Sequence, residues 1–165
     1  MDFKEINLEN ESLNLFSMLK NDWFLLTAGN EEKFNAMTCS WGFLGVMWNK
    51  NVVMPVVRPQ RYTRELINSH DYFTISFFDK KYKKELSFCG SHSGRDMDKM
   101  SQVELTPVFM NNAVFYKEAK LTILAKKLFV NQLDETSFID KSLLDNYKEK
   151  DFHYQYIGEI IKSYK

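Results

Sequence analysis

Asn35-Ala36-Met37-Thr38-Cys39-Ser40-Trp41-Gly42-Phe43-Leu44-Gly45-Val46-Met47-Trp48 is the stretch around which the chain is organised. Hydroxyl side chains at Thr38 and Ser40, indoles at Trp41 and Trp48, two glycines and no charge share one short apolar window. A pure core strand has little use for that many small polar groups. A surface loop rarely carries Trp41, Phe43, Leu44, Met47 and Trp48 together. On chemistry alone two readings stand side by side. The stretch is a buried strand whose Thr and Ser bond to backbone, or it is a wall facing a flat, partly polar ligand. In the second case rings and methyls meet the body of the ligand, and hydroxyls and backbone N–H groups meet its edge.

Upstream, Trp23 to Ala28 (W-F-L-L-T-A) is a dense apolar run of strand length, and Gly29-Asn30 is a turn signal. Phe34 to Ser40 then returns as the second strand of a hairpin that ends in a loop at Ser40-Trp41-Gly42. Residues 1–12 read as a polar, acidic lead-in, followed by a short helix through Leu13, Leu15, Phe16 and Leu19. Phe43 to Trp48 reads as core or as a subunit surface.

Downstream, Val52 to Val57 is a strand, with Pro55 suited to an edge or bulge. Pro59 sets the entry to a helix over Arg61 to Ser69. Phe73 to Phe78 is a strand, Lys80 to Phe88 a short charged helix, and Cys89 to Gly94 a polar loop. Ser93 and Asp96 form an S-x-x-D capping pattern that predicts a helix from Arg95 to about Ser101. Val108 to Met110 and Ala113 to Tyr116 flank the hairpin signal Asn111-Asn112. Ala119 to Gln132 is too long for one flat strand and predicts a bend or bulge. Phe138 to Tyr147 predicts a helix, and Phe152 to Ile161 a final strand. The sum is one mainly β domain over residues 1–165, a small antiparallel barrel with short helices between its strands.

Lys plus Arg and Asp plus Glu are both 22, so zero formal charge gives no whole-chain argument for nucleic acid or an anionic membrane. Phe accounts for 14 residues and Tyr for 8, which favours strands and stacking surfaces. No apolar run reaches membrane-spanning length, and the N-terminus carries no apolar signal region. Cys39 and Cys89 read as free thiols, so a soluble, cytoplasmic protein is expected. The cysteines and histidines have no metal-ligand spacing, and no metal is expected.

No G-x-G-x-x-G, P-loop or G-x-S-x-G occurs. Two other stretches suit a phosphate: Arg61 with Thr63 at a helix opening, and Ser91, Ser93, Arg95 and Lys99 around a second helix start. A helix N-terminus offers free N–H groups and the positive end of its dipole, and Arg95 and Lys99 are one turn apart. The plainer reading of the second stretch is a helix capped by Ser93 with a solvated cationic face. Cys39 has no neighbouring charge in sequence to activate its thiol. Among the three histidines, His153 in its aromatic setting is the candidate catalytic group, though a lone histidine of this kind is more often structural.

N-A-M-T-C-S-W-G at 35–42, R-P-Q-R-Y-T at 58–63 and C-G-S-H-S-G-R-D-M-D-K at 89–99 together resemble the flavin reductase-like, FMN-binding split-barrel family, and most of all its flavoredoxin-type members. W-F-L-L-T-A-G and H-Y-Q-Y-I-G-E-I extend the likeness from about Trp23 to Ile161. The resemblance implies a Greek-key-like split β-barrel, assembled as a homodimer with FMN near the subunit interface. It implies cofactor contacts from Asn35, Met37, Thr38, Cys39, Ser40 and Trp41, with Thr38 to Trp41 along the isoalloxazine and ribityl chain. Thr63 and Lys99, joined by Arg61, Ser91 and Ser93, would hold the phosphate. It further implies a hydride passed from NADH or NADPH to flavin, or a non-enzymatic FMN electron carrier acting with a redox partner protein. His153 would then touch substrate or the flavin edge.

Overall fold

A computed structural model of the chain describes residues 3–165. Its strands are β1 (Glu5–Ile6), β2 (Phe24–Gly29), β3 (Phe34–Cys39), β4 (Gly42–Met47), β5 (Lys50–Val57), β6 (Tyr72–Phe78), β7 (Pro107–Met110), β8 (Ala113–Tyr116), β9 (Ala119–Gln132) and β10 (Tyr154–Tyr164). The α-helical segments are α1 (Leu15–Ser17), α2 (Tyr62–Ser69) and α3 (Lys83–Ser91). Seven strands form one antiparallel path, β3-β2-β6-β9-β10-β5-β4, with β1 added beside β10 and β7-β8 as a separate hairpin.

The connection between β3 and β4 defines the shape. They are consecutive in sequence yet lie at opposite ends of the path, joined only by Ser40 and Trp41. So short a link reaches roughly 10 Å. The sheet must therefore curl until its ends almost meet, and they stay unpaired. The result is a barrel with a split at Ser40-Trp41.

The apolar runs read from sequence become the middle of this sheet. Phe24, Leu25, Leu26, Phe73, Ile75, Phe77, Leu121 and Ile123 are buried because their strands are covered on both faces. Helix α2 packs on β2 and β3, and α3 packs chiefly on β3. The long β9 carries the expected irregularity: Phe129 pairs Ile157 while Lys127 pairs Gly158, leaving Leu128 as an extra residue. A bulge of this kind bends the strand and lets it serve both β6 and β10.

Several local expectations fail. The lead-in is not loose: β1 pairs β10, a 3-10 turn follows at Leu8–Asn10, and Ile6 and Leu8 pack against the core. The first helix is one α turn that runs into a π turn, Met18–Asp22. Residues 89–91 are not loop but the last turn of α3. No helix forms over Arg95 to Ser101. Ser93 instead closes a tight turn, accepting from Arg95 N at 3.2 Å, and only the 3-10 turn Met100–Gln102 follows. Arg95 is drawn to Gln60 O and Glu65, and Lys99 is drawn inward, so the two do not share a helix face. The segment before β10 is 3-10 helix at Lys141–Tyr147, not an α-helix from Phe138.

Candidate functional site

The site lies where α2, α3 and β3 converge beside the split. Its first half is built on the opening of α2. Arg61 is extended (φ −71°, ψ 125°) and precedes the first helical residue, so Thr63 sits in the first turn, where backbone N–H groups lack helical partners. Thr63 is fully buried, and its hydroxyl oxygen accepts from Asn35 Nδ2 at 2.7 Å. Asn35 is itself buried on β3. Together with Arg61, Lys99, Ser91 and Ser93 these residues line a cavity of about 250 Å³.

Lys99 enters this cavity by a route that sequence spacing did not give. It is only 3% exposed. Its Nζ donates to Cys89 O at 3.0 Å and His92 O at 3.1 Å, satisfying carbonyls at the C-terminal end of α3. An ammonium has three donors, so one remains. Burial and the nearby Arg61 push its pKa down to about 8. Arg61 is held by a bond from Nη1 to Gly90 O at 2.9 Å. Among the described residues neither cation has a carboxylate partner, and no carboxylate lines the cavity. Two neighbouring cations, one fully withdrawn from water, are costly without a counter-charge. The residues therefore fit the phosphate end of a nucleotide.

Ser91 and Ser93 line the same cavity but differ in freedom. Ser91 Oγ is turned back to Ser87 O and Phe88 O of its own helix, while Ser93 Oγ accepts from Arg95 N and keeps its proton to donate. Gly94 is needed here because a Cβ would collide with the Asn35 side chain.

The second half adjoins the first through Met37 and Arg61, which line both cavities. This cavity is also about 250 Å³, and Thr38, Cys39, Ser40, Trp41, Arg58 and His153 form its walls with Val56. Joined at Arg61, the two fall in the size range of small-molecule sites, roughly 300–1,000 Å³. Trp41 stands half-exposed at the rim, its ring 5.3 Å from that of His153. The Thr38 hydroxyl is spent on Leu86 O, and its side chain stands over Gly90, where an added Cβ would come within 3.3 Å of the Thr38 Cβ. Cys39 is buried and its thiol is pushed up to about 12, so it is an inert wall residue. His153 is pushed down to about 4 by burial and by Arg58, and is neutral at neutral pH.

All eleven residues expected to contact the cofactor, from Asn35 to Lys99, thus line one or both of two adjoining cavities that share Met37 and Arg61, and His153 lines the second. Sequence reading omitted Arg58, Val56 and Tyr147. Arg58 stands in the quoted 58–63 string and could have been found there. Tyr147 reaches His153 from the 3-10 segment, bonding Nδ1 at 2.9 Å, and carries no local signal. Among the described residues no helix is long and apolar enough to cross a membrane.

Fold and site define the class: a split antiparallel barrel with a pocket lined by Arg61 and Lys99 beside a second one walled by Trp41, His153, Met37 and Arg58. The chain belongs to the flavin reductase-like domain family, whose sequence pattern matches residues 17–128. Its fold is similar to that of flavoredoxin from Methanosarcina acetivorans, at 24% identity and TM-score 0.66 over 98% of this chain and 75% of that one. It is also similar to flavoredoxin of Desulfovibrio vulgaris (23% identity, TM-score 0.66, 86% of this chain and 67% of that one). An FMN-binding protein from Thermus thermophilus, solved with p-hydroxybenzaldehyde, aligns at 20% identity and TM-score 0.66 over 86% and 69% of the two chains. No curated protein sequence matches the chain.

Proposed function

We propose that the chain is an FMN-binding oxidoreductase that takes a hydride from NADH or NADPH and passes its electrons to an acceptor. The observation that carries this reading is the junction at Arg61. There an acid-free pocket holding buried Lys99 opens into a pocket walled by Trp41 and His153. FMN has that polarity, with a phosphate at one end and a flat ring at the other. Family membership and the flavoredoxin and FMN-binding neighbours support the same ligand.

The flavin, when bound, supplies the redox chemistry. The residues of this chain bind and orient it. Lys99 and Arg61 neutralise phosphate charge, Thr63 and Ser93 offer hydroxyl donors, and the first-turn amides of α2 add their N–H groups. Trp41 and His153 hold the ring-side cavity open to a planar second molecule. No side chain there is poised as an acid or base: Cys39 holds its proton and His153 has none to give up as an imidazolium.

A second copy of the chain fits the split side of the barrel. Edge strand β4 and its turn expose Phe43, Val46, Met47 and Trp48, and Trp48 meets Phe129 of β9 edge-on at 6.2 Å. An unpaired apolar edge of this kind calls for a partner strand or face. We infer a homodimer through it.

The test is spectroscopic. Purified protein reconstituted with FMN should show a flavin band that NADH or NADPH bleaches without oxygen. A bound flavin that neither nucleotide bleaches, but that a protein redox partner reduces, would move the assignment to an electron carrier. Failure to take up FMN would overturn both.

A further inference from the structure

Tyr147 and His153 share a hydrogen bond that the binding scheme above leaves unused. Tyr147 closes the 3-10 helix Lys141–Tyr147, and His153 immediately precedes β10. Both are buried. The phenol oxygen and His153 Nδ1 are 2.9 Å apart, and the two rings meet edge-to-face at 5.5 Å and 84°.

Which atom donates follows from what surrounds the phenol. Phe152 stacks on Tyr147 at 4.9 Å, Phe138 lies at 5.7 Å, and the Arg58 guanidinium sits 5.2 Å from the ring centre. None of these is an acceptor. Among the described residues His153 Nδ1 is the hydroxyl's hydrogen-bond partner. Burial raises the pKa of Tyr147, so the hydroxyl keeps its proton. A buried O–H left without an acceptor is costly, so it donates to the Nδ1 lone pair. His153 is neutral: burial, Arg58 and Arg61 all disfavour its charged form, and the one opposing group, Asp151, is paired with Arg58 at 2.6 Å and accepts from Gln60. A neutral imidazole whose Nδ1 accepts carries its proton on Nε2. Nε2 has no protein partner among the described residues, and the ring lines the cavity beside Trp41.

We infer that Tyr147 is a positioning residue that fixes His153 in the Nε2–H tautomer, and that this N–H donates to a carbonyl oxygen of the molecule in the ring-side cavity. This rests on the FMN reading for the identity of the molecule. A flavin ring carbonyl and the carboxamide of a nicotinamide offer the same acceptor. The distinction from a purely packing role is directional: a hydrogen bond fixes a tautomer, whereas packing alone does not.

Nitrogen NMR on ¹⁵N-histidine-labelled protein reads this directly, with His153→Gln identifying the His153 signals against His70 and His92. Ligand-free wild type should show Nε2 protonated and Nδ1 as acceptor. Tyr147→Phe should lose that bias and give a mixture of tautomers. A wild-type ring protonated at Nδ1 overturns the inference even if the variant fails to fold. Adding FMN should shift the Nε2 proton if a flavin carbonyl is the acceptor. A shift only on further addition of NAD⁺ or NADP⁺ assigns the carboxamide. No shift with FMN demonstrably bound and NAD⁺ or NADP⁺ then added overturns the carbonyl contact. Tyr147→Phe should weaken the affected molecule about 3- to 10-fold, the value of one neutral hydrogen bond. If FMN does not bind at all, the proposed function fails, while the ligand-free spectrum still judges Tyr147.

Discussion

Asn35 Nδ2 donates to Thr63 Oγ1 across 2.7 Å, tying strand β3 to the first turn of α2 in a fully buried setting. Because Thr63 accepts there, its own hydroxyl proton is free to point elsewhere. The bond therefore turns a threonine into an aimed donor. Asn35→Ala removes the tie and leaves a buried hydroxyl unsatisfied, at a cost of about 1–3 kcal/mol. The expected outcome is a lower urea midpoint with weaker FMN binding. Thr63→Val, which keeps the shape and removes the hydroxyl, should weaken FMN and also lower stability, because buried Asn35 Nδ2 loses its acceptor. Unchanged FMN affinity in both variants would remove Asn35 and Thr63 from the site.

Lys99 gives a pH signature with two opposite slopes. Its folded pKa lies near 8, below the ordinary lysine value of 10.5. Below pH 8 it is charged in both folded and unfolded chains. Between about 8 and 10.5 the unfolded chain holds the proton and the folded one releases it, so ligand-free stability gains a rising contribution with pH. Anion affinity moves the other way, because the released proton takes the counter-charge with it. Wild type should therefore bind FMN progressively more weakly above pH 8 than below it. Lys99→Met should flatten both trends and weaken FMN by about 1.5–3 kcal/mol at neutral pH. Isothermal titration across pH 7 to 10, with thermal melts beside it, reads both slopes.

Strand β4 makes the oligomer testable. Val46 is 74% exposed and Phe43 65% exposed on an edge that lacks any charged residue between Gly42 and Met47. Charge at such an edge blocks pairing. Val46→Lys should give a species of 19.6 kDa in sedimentation velocity where wild type gives twice that mass. A monomeric wild type at high micromolar concentration would overturn the homodimer.

The sequence by itself determined the strands and much of the site. Trp23 to Ala28 and Phe73 to Phe78 were legible because their residues are apolar on both faces, and burial on both sides leaves that mark whatever the neighbours are. The motifs at 35–42, 58–63 and 89–99 named the residues that line the cleft, since each lies in a short, dense string. The tertiary structure alone decided three things. It placed Lys99 by folding residues 92–99 back onto the end of α3, where two carbonyls outcompete the local S-x-x-D preference for a helix. It exposed Phe43, Val46, Met47 and Trp48 while turning Leu44 onto the core, because whether an apolar strand is covered depends on what lies beside it and not on its own composition. And it brought Tyr147 to His153 across a turn that no spacing rule describes. The opening stretch thus divides at Gly42. Its first half lines the two cavities, its second half presents Phe43, Val46, Met47 and Trp48 outward, and the change occurs at the Ser40-Trp41 link, where the barrel is split.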